Sequence, residues 1–148
     1  KDKRKNGKVI EEFESSVINS NMCSASTLKS IRECLHDVVW NDTLGTASIN
    51  PWGTRKAQSD LVAIAGKTGT AQILEKGYSN RRHRMSFVGY FPEDDPQYTC
   101  ICVIHGPQWP YDAGMDCGSV VRHIAEKTMA YAGEYVIKNG ELVMVVNK

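Results

Sequence analysis

One short segment, residues 65–72, combines a cation, hydroxyls and glycines in the sequence AGKTGTAQ. If the segment is a strand, Thr68 and Thr70 project from the same face, because side chains alternate along a strand. Gly69 lies between them and lets a second backbone approach the strand closely. Lys67 adds a positive charge. These groups suit an extended peptide that pairs with the strand and places its terminal carboxylate on the ammonium and the hydroxyls.

Two other interpretations of this segment compete with peptide binding. A Walker-type phosphate loop is excluded, because Lys67-Thr68 lacks the G-x-x-x-x-G frame that such loops need. The tripeptide K-T-G also occurs by chance in many proteins, and Lys67 is then an ordinary surface lysine. The tripeptide alone therefore establishes no function. The choice between peptide binding and a chance occurrence depends on the surrounding elements.

Two helices are predicted around this segment. Residues 26–40 and 119–132 place apolar side chains at the i, i+3, i+4, i+7 spacing of a helix with one buried stripe. Ser24 or Ser26 can cap the first helix, and Ser119 can cap the second. The predicted buried stripes are Leu28, Ile31, Leu35, Val38 and Val39 in the first helix and Val120, Val121, Ile124, Ala125 and Tyr131 in the second.

Three strands are predicted at residues 61–74, 85–91 and 98–105. The last two have apolar residues on both faces, so we expect them to be covered on each side and joined as an antiparallel hairpin. The fold class is therefore α+β, an antiparallel sheet with flanking helices. Loops are predicted at residues 45–58, 76–84 and 106–118, and a terminal hairpin at residues 135–137 and 142–146 on either side of Asn139-Gly140.

The first residues of the chain, KDKRKNG, allow two interpretations. Asn6-Gly7 is a strong hairpin-turn signal, but only five residues precede it as a first strand, and they are highly charged. With no initiator Met, the segment suggests a piece cut from a longer protein. The alternative is a solvated basic tail. Residues 9–20, which follow, are expected to be extended or irregular.

Composition excludes several classes of protein. The chain has 148 residues, 41% hydrophobic and 24% charged, which fits one globular domain or part of one and excludes global disorder. The net charge of +1 creates no field that would attract nucleic acid. Five cysteines without a C-x-x-C pair exclude zinc-site spacing, and we expect free thiols that are mostly buried. No metal or cofactor is predicted.

Several segments, in order along the chain, resemble one protein family. The segment around K-T-G resembles the third conserved motif of penicillin-binding transpeptidases, in the form typical of class B. The resemblance extends from about residue 17 to residue 131, so it is far more specific than K-T-G alone. The segments are Val38-Val39 with Gly45-Thr46-Ala47, then VAIAGKTGTAQ (62–72), RMSFVGYFP (84–92), DPQY (95–98), and Gly118-Ser119-Val120 with IAEK (124–127).

The family also requires an S-x-x-K nucleophile motif and an S-x-N motif upstream of K-T-G. Letter matches exist at Ser26-Thr27-Leu28-Lys29 and at Ser48-Ile49-Asn50, but their spacing is too short for the intervening helices. Ser26 is better explained as a helix cap, and Asn50, before a proline, as a turn residue. The resemblance therefore implies that residues 1–148 are the C-terminal portion of a transpeptidase domain that lacks its nucleophilic serine and is inert alone.

The resemblance implies roles for four residues and a set of partners. Lys67 would supply positive potential beside the catalytic network, and the hydroxyls of Thr68 and Thr70 would bind the substrate carboxylate. Gly69 would allow close passage, and the Thr70 backbone N–H would be one oxyanion-hole donor. Implied partners are peptidoglycan stem peptides ending in D-Ala-D-Ala, β-lactam antibiotics and cell-division proteins. The implied location is the periplasmic side of the inner membrane, held by an anchor outside this chain.

Other polar residues and other functions remain as alternatives. The cluster Arg81 to Arg84 is better explained as a solvated loop than as an anion site. His36 and His105 are expected to be structural, and Trp109 and Tyr111 to pack rather than to line a substrate groove. A serine β-lactamase or D,D-carboxypeptidase of the same fold, or a non-catalytic β-lactam sensor, is the alternative to a transpeptidase.

Overall fold

The computed structural model describes residues 2–6, 8–12, 16–73, 82–107, 111–132, 135–138 and 141–144. Within these ranges the chain forms strands, two α-helices and one π-helical turn. In chain order they are β1 (Asp2–Lys5), β2 (Lys8–Glu12), α1 (Ala25–Trp40), β3 (Ala65–Ile73), β4 (Arg82–Phe91), β5 (Tyr98–His105), the π turn (Gly114–Gly118), α2 (Ser119–Tyr131), β6 (Tyr135–Lys138) and β7 (Glu141–Met144).

The central sheet has the strand order β3-β4-β5 and is antiparallel throughout. The predicted α+β class and the hairpin of β4 and β5 are confirmed. Two predicted boundaries are wrong. Residues 61–64 are irregular, with bends at Leu61 and Val62, rather than strand, and Arg82 to Arg84 belong to β4 rather than to a polar loop. Leu74 and residues 76–81 lie outside the described residues.

Helix α1 begins at Ala25, and Ser24 rather than Ser26 is its N-cap: the Ser24 side chain accepts a hydrogen bond from the Thr27 backbone N–H at 3.1 Å. The predicted buried stripe holds only at the C-terminal end, where Val39 is fully buried. Leu28 and Ile31 are 44% and 47% exposed. The indole Nε1 of Trp40 donates to the Ile64 carbonyl at 2.9 Å, so the end of α1 is fixed against the start of β3.

Helix α2 does not begin at a Ser119 cap. Gly114 to Gly118, predicted as loop, form a π-helical turn that runs directly into α2. The Asp112 carboxylate accepts hydrogen bonds from the backbone N–H groups of Gly114 (2.8 Å) and Met115 (3.1 Å) and so caps the combined helix. A single line of α2 residues is buried: Val121, Ala125 and Met129. The predicted Val120, Ile124 and Tyr131 are exposed instead.

The two faces of the sheet differ in burial. Met85, Phe87 and Phe91 of β4 are fully or almost fully buried in the core that α2 helps to cover. On the opposite face Val88 is exposed, and so is its neighbour Ile101 of β5, at 64%. The prediction that both strands are covered on each side is therefore wrong for the described residues, among which β5 is an edge strand.

Two small hairpins accompany the sheet. Strands β1 and β2 pair antiparallel across Asn6, whose φ of 52° is left-handed, so residues 2–5 are not a plain solvated tail. Strands β6 and β7 confirm the predicted terminal pairing, although Asn139-Gly140 lies outside the described residues. In the part of the chain that the structure describes, neither α-helix is long and apolar enough to cross a membrane.

The five cysteines are free thiols, as expected, but their burial differs from the prediction. Cys117 is buried, Cys100 and Cys102 are half-buried, and Cys23 and Cys34 are exposed. Burial and the neighbouring Cys102 raise the pKa of Cys117 to about 12, so this thiol is inert at neutral pH.

Candidate functional site

The K-T-G segment lies on β3, which pairs with β4 on one side. Thr68 lies opposite Phe87, and Thr70 lies opposite Met85, so both threonines share one face of the strand. Among the described residues no strand pairs with the other edge of β3. That edge therefore offers backbone donors and acceptors to an extended ligand.

A cavity of about 310 Å³ opens beside the two threonines. It is large enough for a small polar ligand group. Its walls come from β3, from the loop of residues 41–58 and from the start of the π turn. The residues around it are Thr46, Lys56, Thr68, Thr70, Tyr111, Asp112, Ala113 and Gly114.

Lys67 projects from the other face of β3, yet its ammonium folds back onto the motif. Its Nζ donates to the Thr68 carbonyl oxygen at 2.9 Å and to the Thr68 hydroxyl at 3.4 Å. The Lys67 side chain is otherwise exposed. The cation therefore lies beside the hydroxyl that borders the cavity, where it favours a negatively charged ligand.

Gly69 makes room for a neighbouring side chain. A Cβ atom at this position would lie 2.6 Å from the Ser86 hydroxyl oxygen on β4. The absence of a side chain at residue 69 thus serves the contact with β4, in addition to the close ligand approach that the sequence predicts.

Thr46 joins the loop of residues 41–58 to β3. The Thr46 and Thr68 hydroxyl oxygens are 2.7 Å apart, a hydrogen bond between residues far apart in sequence. Thr46 also borders the cavity. The loop therefore contributes directly to the site.

A polar network of the exposed Asp42 with the buried Ser48 and Gln58 shapes this loop. The Ser48 hydroxyl donates to the Asp42 carboxylate at 2.5 Å, and the Gln58 amide donates to the same oxygen at 2.7 Å and to Ser48 at 2.9 Å. The hydrogen bonds from Ser48 and then Gln58 lower the pKa of Asp42 below its usual value, so the carboxylate stays ionised. The network ties both ends of the loop together and fixes the segment that carries Thr46.

An ion pair connects the loop to the helix start. Lys56 Nζ lies 2.7 Å from the Asp112 carboxylate and donates to the Thr46 carbonyl at 3.2 Å. The Lys56 side chain is only 12% exposed. Partial burial of Asp112 acts to raise its pKa, but hydrogen bonds from Lys56 and from the backbone of Met115 and Gly114 outweigh it and lower the pKa.

Gly114 allows the start of the π turn to pack closely against the loop of residues 41–58. A Cβ atom at Gly114 would overlap the Thr46 carbonyl oxygen and lie 2.9 Å from the Ala47 Cα. The start of the π turn therefore packs against the backbone of the loop at a distance that only glycine permits.

We expect Asp112→Asn to lower the free energy of unfolding by about 1 kcal/mol at pH 7, because the side chain can still cap the helix but no longer pairs with Lys56. The folded-state pKa of Asp112 lies below its ordinary value of 3.8. The stabilisation is therefore complete above that value and is lost as the pH falls further. Urea unfolding between pH 7 and pH 3 measures the difference in free energy of unfolding between wild type and variant.

This difference in free energy of unfolding should be constant down to about pH 4.5 and should decrease below that pH. Asp60→Asn, which removes a more exposed carboxylate paired with Arg55, is the control and should change stability by less than about 0.5 kcal/mol. A difference of equal size at every pH would contradict an electrostatic role for Asp112.

The letter matches to the upstream motifs occupy structural positions. Ser26 contacts the Ser24 hydroxyl at 2.9 Å on the exposed start of α1, and Lys29 pairs with Glu33. Ser48 is fully buried in the Asp42 network. Asn50 holds a turn, as predicted: its side-chain oxygen accepts from the backbone of Trp52 and Thr54.

The other polar candidates have partners inside the protein. The His36 ring lies 2.8 Å from Glu93, and Arg84 donates to His105 at 3.2 Å. His83, predicted in a solvated loop, lies on β4 with its Nδ1 2.6 Å from the Tyr111 hydroxyl. Tyr111 packs against the core and also borders the cavity, while Arg81 and Trp109 lie outside the described residues.

Lys56 and Asp112 belong to this site, although neither was predicted from the sequence. An Asp just before a helix is a recognisable cap signal, and Asp112 has this position relative to the helix that begins at the π turn. No sequence signal distinguishes Lys56 from other surface lysines, because its burial depends on contacts across the fold. Among the described residues, no group of His, Cys, Asp or Glu side chains is placed to hold a metal ion.

The sequence of this chain matches one protein family. Residues 3–130 match the penicillin-binding protein transpeptidase domain. A protein from Chlorokybus atmophyticus, named peptidoglycan D,D-transpeptidase FtsI homolog, is 34% identical over 106 residues, 70% of this chain and 14% of that protein. A protein of the same name from Mesostigma viride is 34% identical over 113 residues, 74% of this chain and 17% of that protein. This chain therefore spans less than a fifth of the length of these curated relatives.

The fold of this chain is similar to that of a solved transpeptidase domain. The transpeptidase domain of the FtsI4 D,D-transpeptidase from Legionella pneumophila is 27% identical, with a TM-score of 0.55, over 72% of this chain and 36% of that domain chain. The family match covers most of the sequence, and the fold agrees with that of a solved member. The chain belongs to the penicillin-binding protein transpeptidase domain family, in its class B branch.

Proposed function

We propose that this chain is the C-terminal part of the transpeptidase domain of a peptidoglycan D,D-transpeptidase. The observation that carries the proposal is β3, which is an edge strand among the described residues. On it Lys67 lies beside the Thr68 hydroxyl, and Thr68 and Thr70 border one cavity. An edge strand with this set of donors suits a peptide that ends in a carboxylate. Family membership and the names of the relatives support the same activity.

The proposed reaction proceeds through a serine acyl-enzyme. A serine upstream of this chain attacks the penultimate D-Ala carbonyl of a stem peptide, and the terminal D-Ala leaves with the proton. The amine of a second stem peptide then attacks the ester, releases the serine and forms the cross-link. β-Lactams resemble the D-Ala-D-Ala end and acylate the same serine.

The residues of this chain bind and orient the substrate in that reaction. Lys67 supplies positive charge at the hydroxyls, and Thr68 and Thr70 donate to the substrate carboxylate. Gly69 leaves the strand open to the substrate backbone. The Thr70 backbone N–H and the N–H of the absent serine stabilise the negative charge that develops on the attacked carbonyl oxygen.

The proposal extends to the setting of the enzyme. The segment Met85-Ser86-Phe87 within β4 resembles division-specific members of the family, and the two relatives named FtsI homolog carry the name of that group. We therefore assign the enzyme to septal wall synthesis, alongside cell-division proteins. It acts on the periplasmic side of the inner membrane, and a segment outside this chain anchors it there.

Labelling by a fluorescent penicillin tests this function. The complete gene product should form a covalent adduct that survives denaturation, and the 148-residue chain alone should form none, because its nucleophile is upstream. Heat-denatured complete protein serves as the control for nonspecific reaction. A labelled short chain would place the nucleophile within it, with Ser26 the first residue to test. If neither protein is labelled, the enzyme proposal is wrong.

A further inference from the structure

The hydrogen bond between Thr46 and Thr68 lies at the wall of the cavity beside β3. Their hydroxyl oxygens are 2.7 Å apart, and both residues border the cavity. Lys67 approaches the Thr68 hydroxyl from another direction, with its Nζ 3.4 Å away. When a ligand is bound, the Thr68 hydroxyl therefore has three hydrogen-bond partners: Thr46, Lys67 and the ligand.

The supply of protons fixes the direction of these bonds. A hydroxyl has one proton to donate and two lone pairs that accept. The Lys67 ammonium only donates, so Thr68 accepts from it. A carboxylate only accepts, so Thr68 can bind one only by donating its single proton to it. Thr46 must then donate to Thr68. If Thr68 donated to Thr46 instead, no Thr68 proton would be left for the ligand.

The backbone around Thr46 holds its hydroxyl at this position. The Thr46 carbonyl accepts from Lys56, and the backbone N–H of Ala47 donates to the Val38 carbonyl at 2.9 Å. Ala57 N–H donates to the Ala47 carbonyl at 2.9 Å. The start of the π turn packs directly on this segment through Gly114. A donor held in this way needs little reorganisation when the ligand arrives.

We propose that Thr46 is a positioning residue for carboxylate recognition. Its hydroxyl donates to Thr68 and so directs the Thr68 proton into the cavity, toward the carboxylate of the ligand. The two hydrogen bonds form a chain in which each strengthens the other. This inference rests on the proposed function, in which Thr68 binds the substrate carboxylate.

The test compares two ligands that differ only in the carboxylate. The second-order rate constant of acylation of the complete protein is measured with benzylpenicillin and with its methyl ester. Thr46→Val removes the donor, and we expect the preference for the free carboxylate over the ester to fall about 3- to 10-fold, with the ester rate nearly unchanged. Thr46→Ser keeps the hydroxyl and should retain the wild-type preference within about 2-fold.

The controls separate positioning from general damage. Thr43→Val changes an exposed threonine of the same loop and should leave both rates at the wild-type value. Thr46→Ala removes the hydroxyl without a branched side chain and replaces the Val variant if that protein does not fold. Equal losses with both ligands, or an unchanged preference, would overturn the inference about Thr46. A wild-type protein that reacts with neither ligand overturns the proposed function itself.

Discussion

Replacement of Lys67 by Met in the complete protein is expected to slow acylation by a penicillin about 100- to 10,000-fold, the range found when a group that assists proton transfer or stabilises charge is removed. Met has nearly the length of Lys but no charge. The Lys67 ammonium contacts both the carbonyl and the hydroxyl of Thr68, so the substitution removes the positive charge nearest to that hydroxyl. The rate of fluorescent adduct formation measures the loss.

Two controls accompany this experiment. Lys127→Met removes an exposed lysine from α2 and should leave the acylation rate unchanged within about 2-fold. The melting temperature of the Lys67→Met variant should stay near that of wild type, because Lys67 is exposed and a surface change has little effect on stability. An acylation rate within threefold of wild type would remove Lys67 from the proposed active site.

The second large effect concerns stability. Gly66→Ala is expected to lower the free energy of unfolding by about 3 kcal/mol, near the upper end of the range for overpacking. A Cβ atom at Gly66 would overlap the Val88 carbonyl oxygen and lie 2.7 Å from Phe87 Cζ and 2.9 Å from Gly89 Cα. Backbone atoms of β4 cannot move away without loss of the β3–β4 pairing. Urea unfolding at pH 7 measures the change.

Gly69→Ala in the same strand is the matched control. Its Cβ atom would meet only the Ser86 side chain closely, at 2.6 Å from the hydroxyl oxygen, and that side chain can rotate away. We expect a loss of less than about 1 kcal/mol. Equal destabilisation by the two substitutions would show that the contact of Gly66 with the β4 backbone does not determine the stability of this strand.

Local sequence patterns sufficed for much of the fold. The short apolar runs and the turn residues between them located β4 and β5, and the helical spacing located α1 to within one residue at each end. Thr68 and Thr70 fall on one face of β3 because alternation along a strand is a local property. These predictions succeeded because the physical cause lies within a few neighbouring residues.

Other features depend on distant contacts and were mispredicted. Leu28 and Ile31 have helical spacing but stay exposed, because the periodicity does not say how far along α1 the packing extends. The π turn shows no apolar period, since it is held by Asp112 and by close packing on Thr46. The buried position of Lys56 likewise arises only when the loop meets Asp112.

The order of the strands determines where the cost in chain entropy falls. β3, β4 and β5 follow one another in the sequence, and only the six residues 92–97 separate the last two. The hydrogen bond of Thr46 with Thr68 closes a loop of 22 residues. Closing the longer loop between Lys56 and Asp112 costs about 0.8 kcal/mol more, taken alone. The Lys56–Asp112 contact at the cavity thus depends on a more costly chain closure than the short connection between β4 and β5.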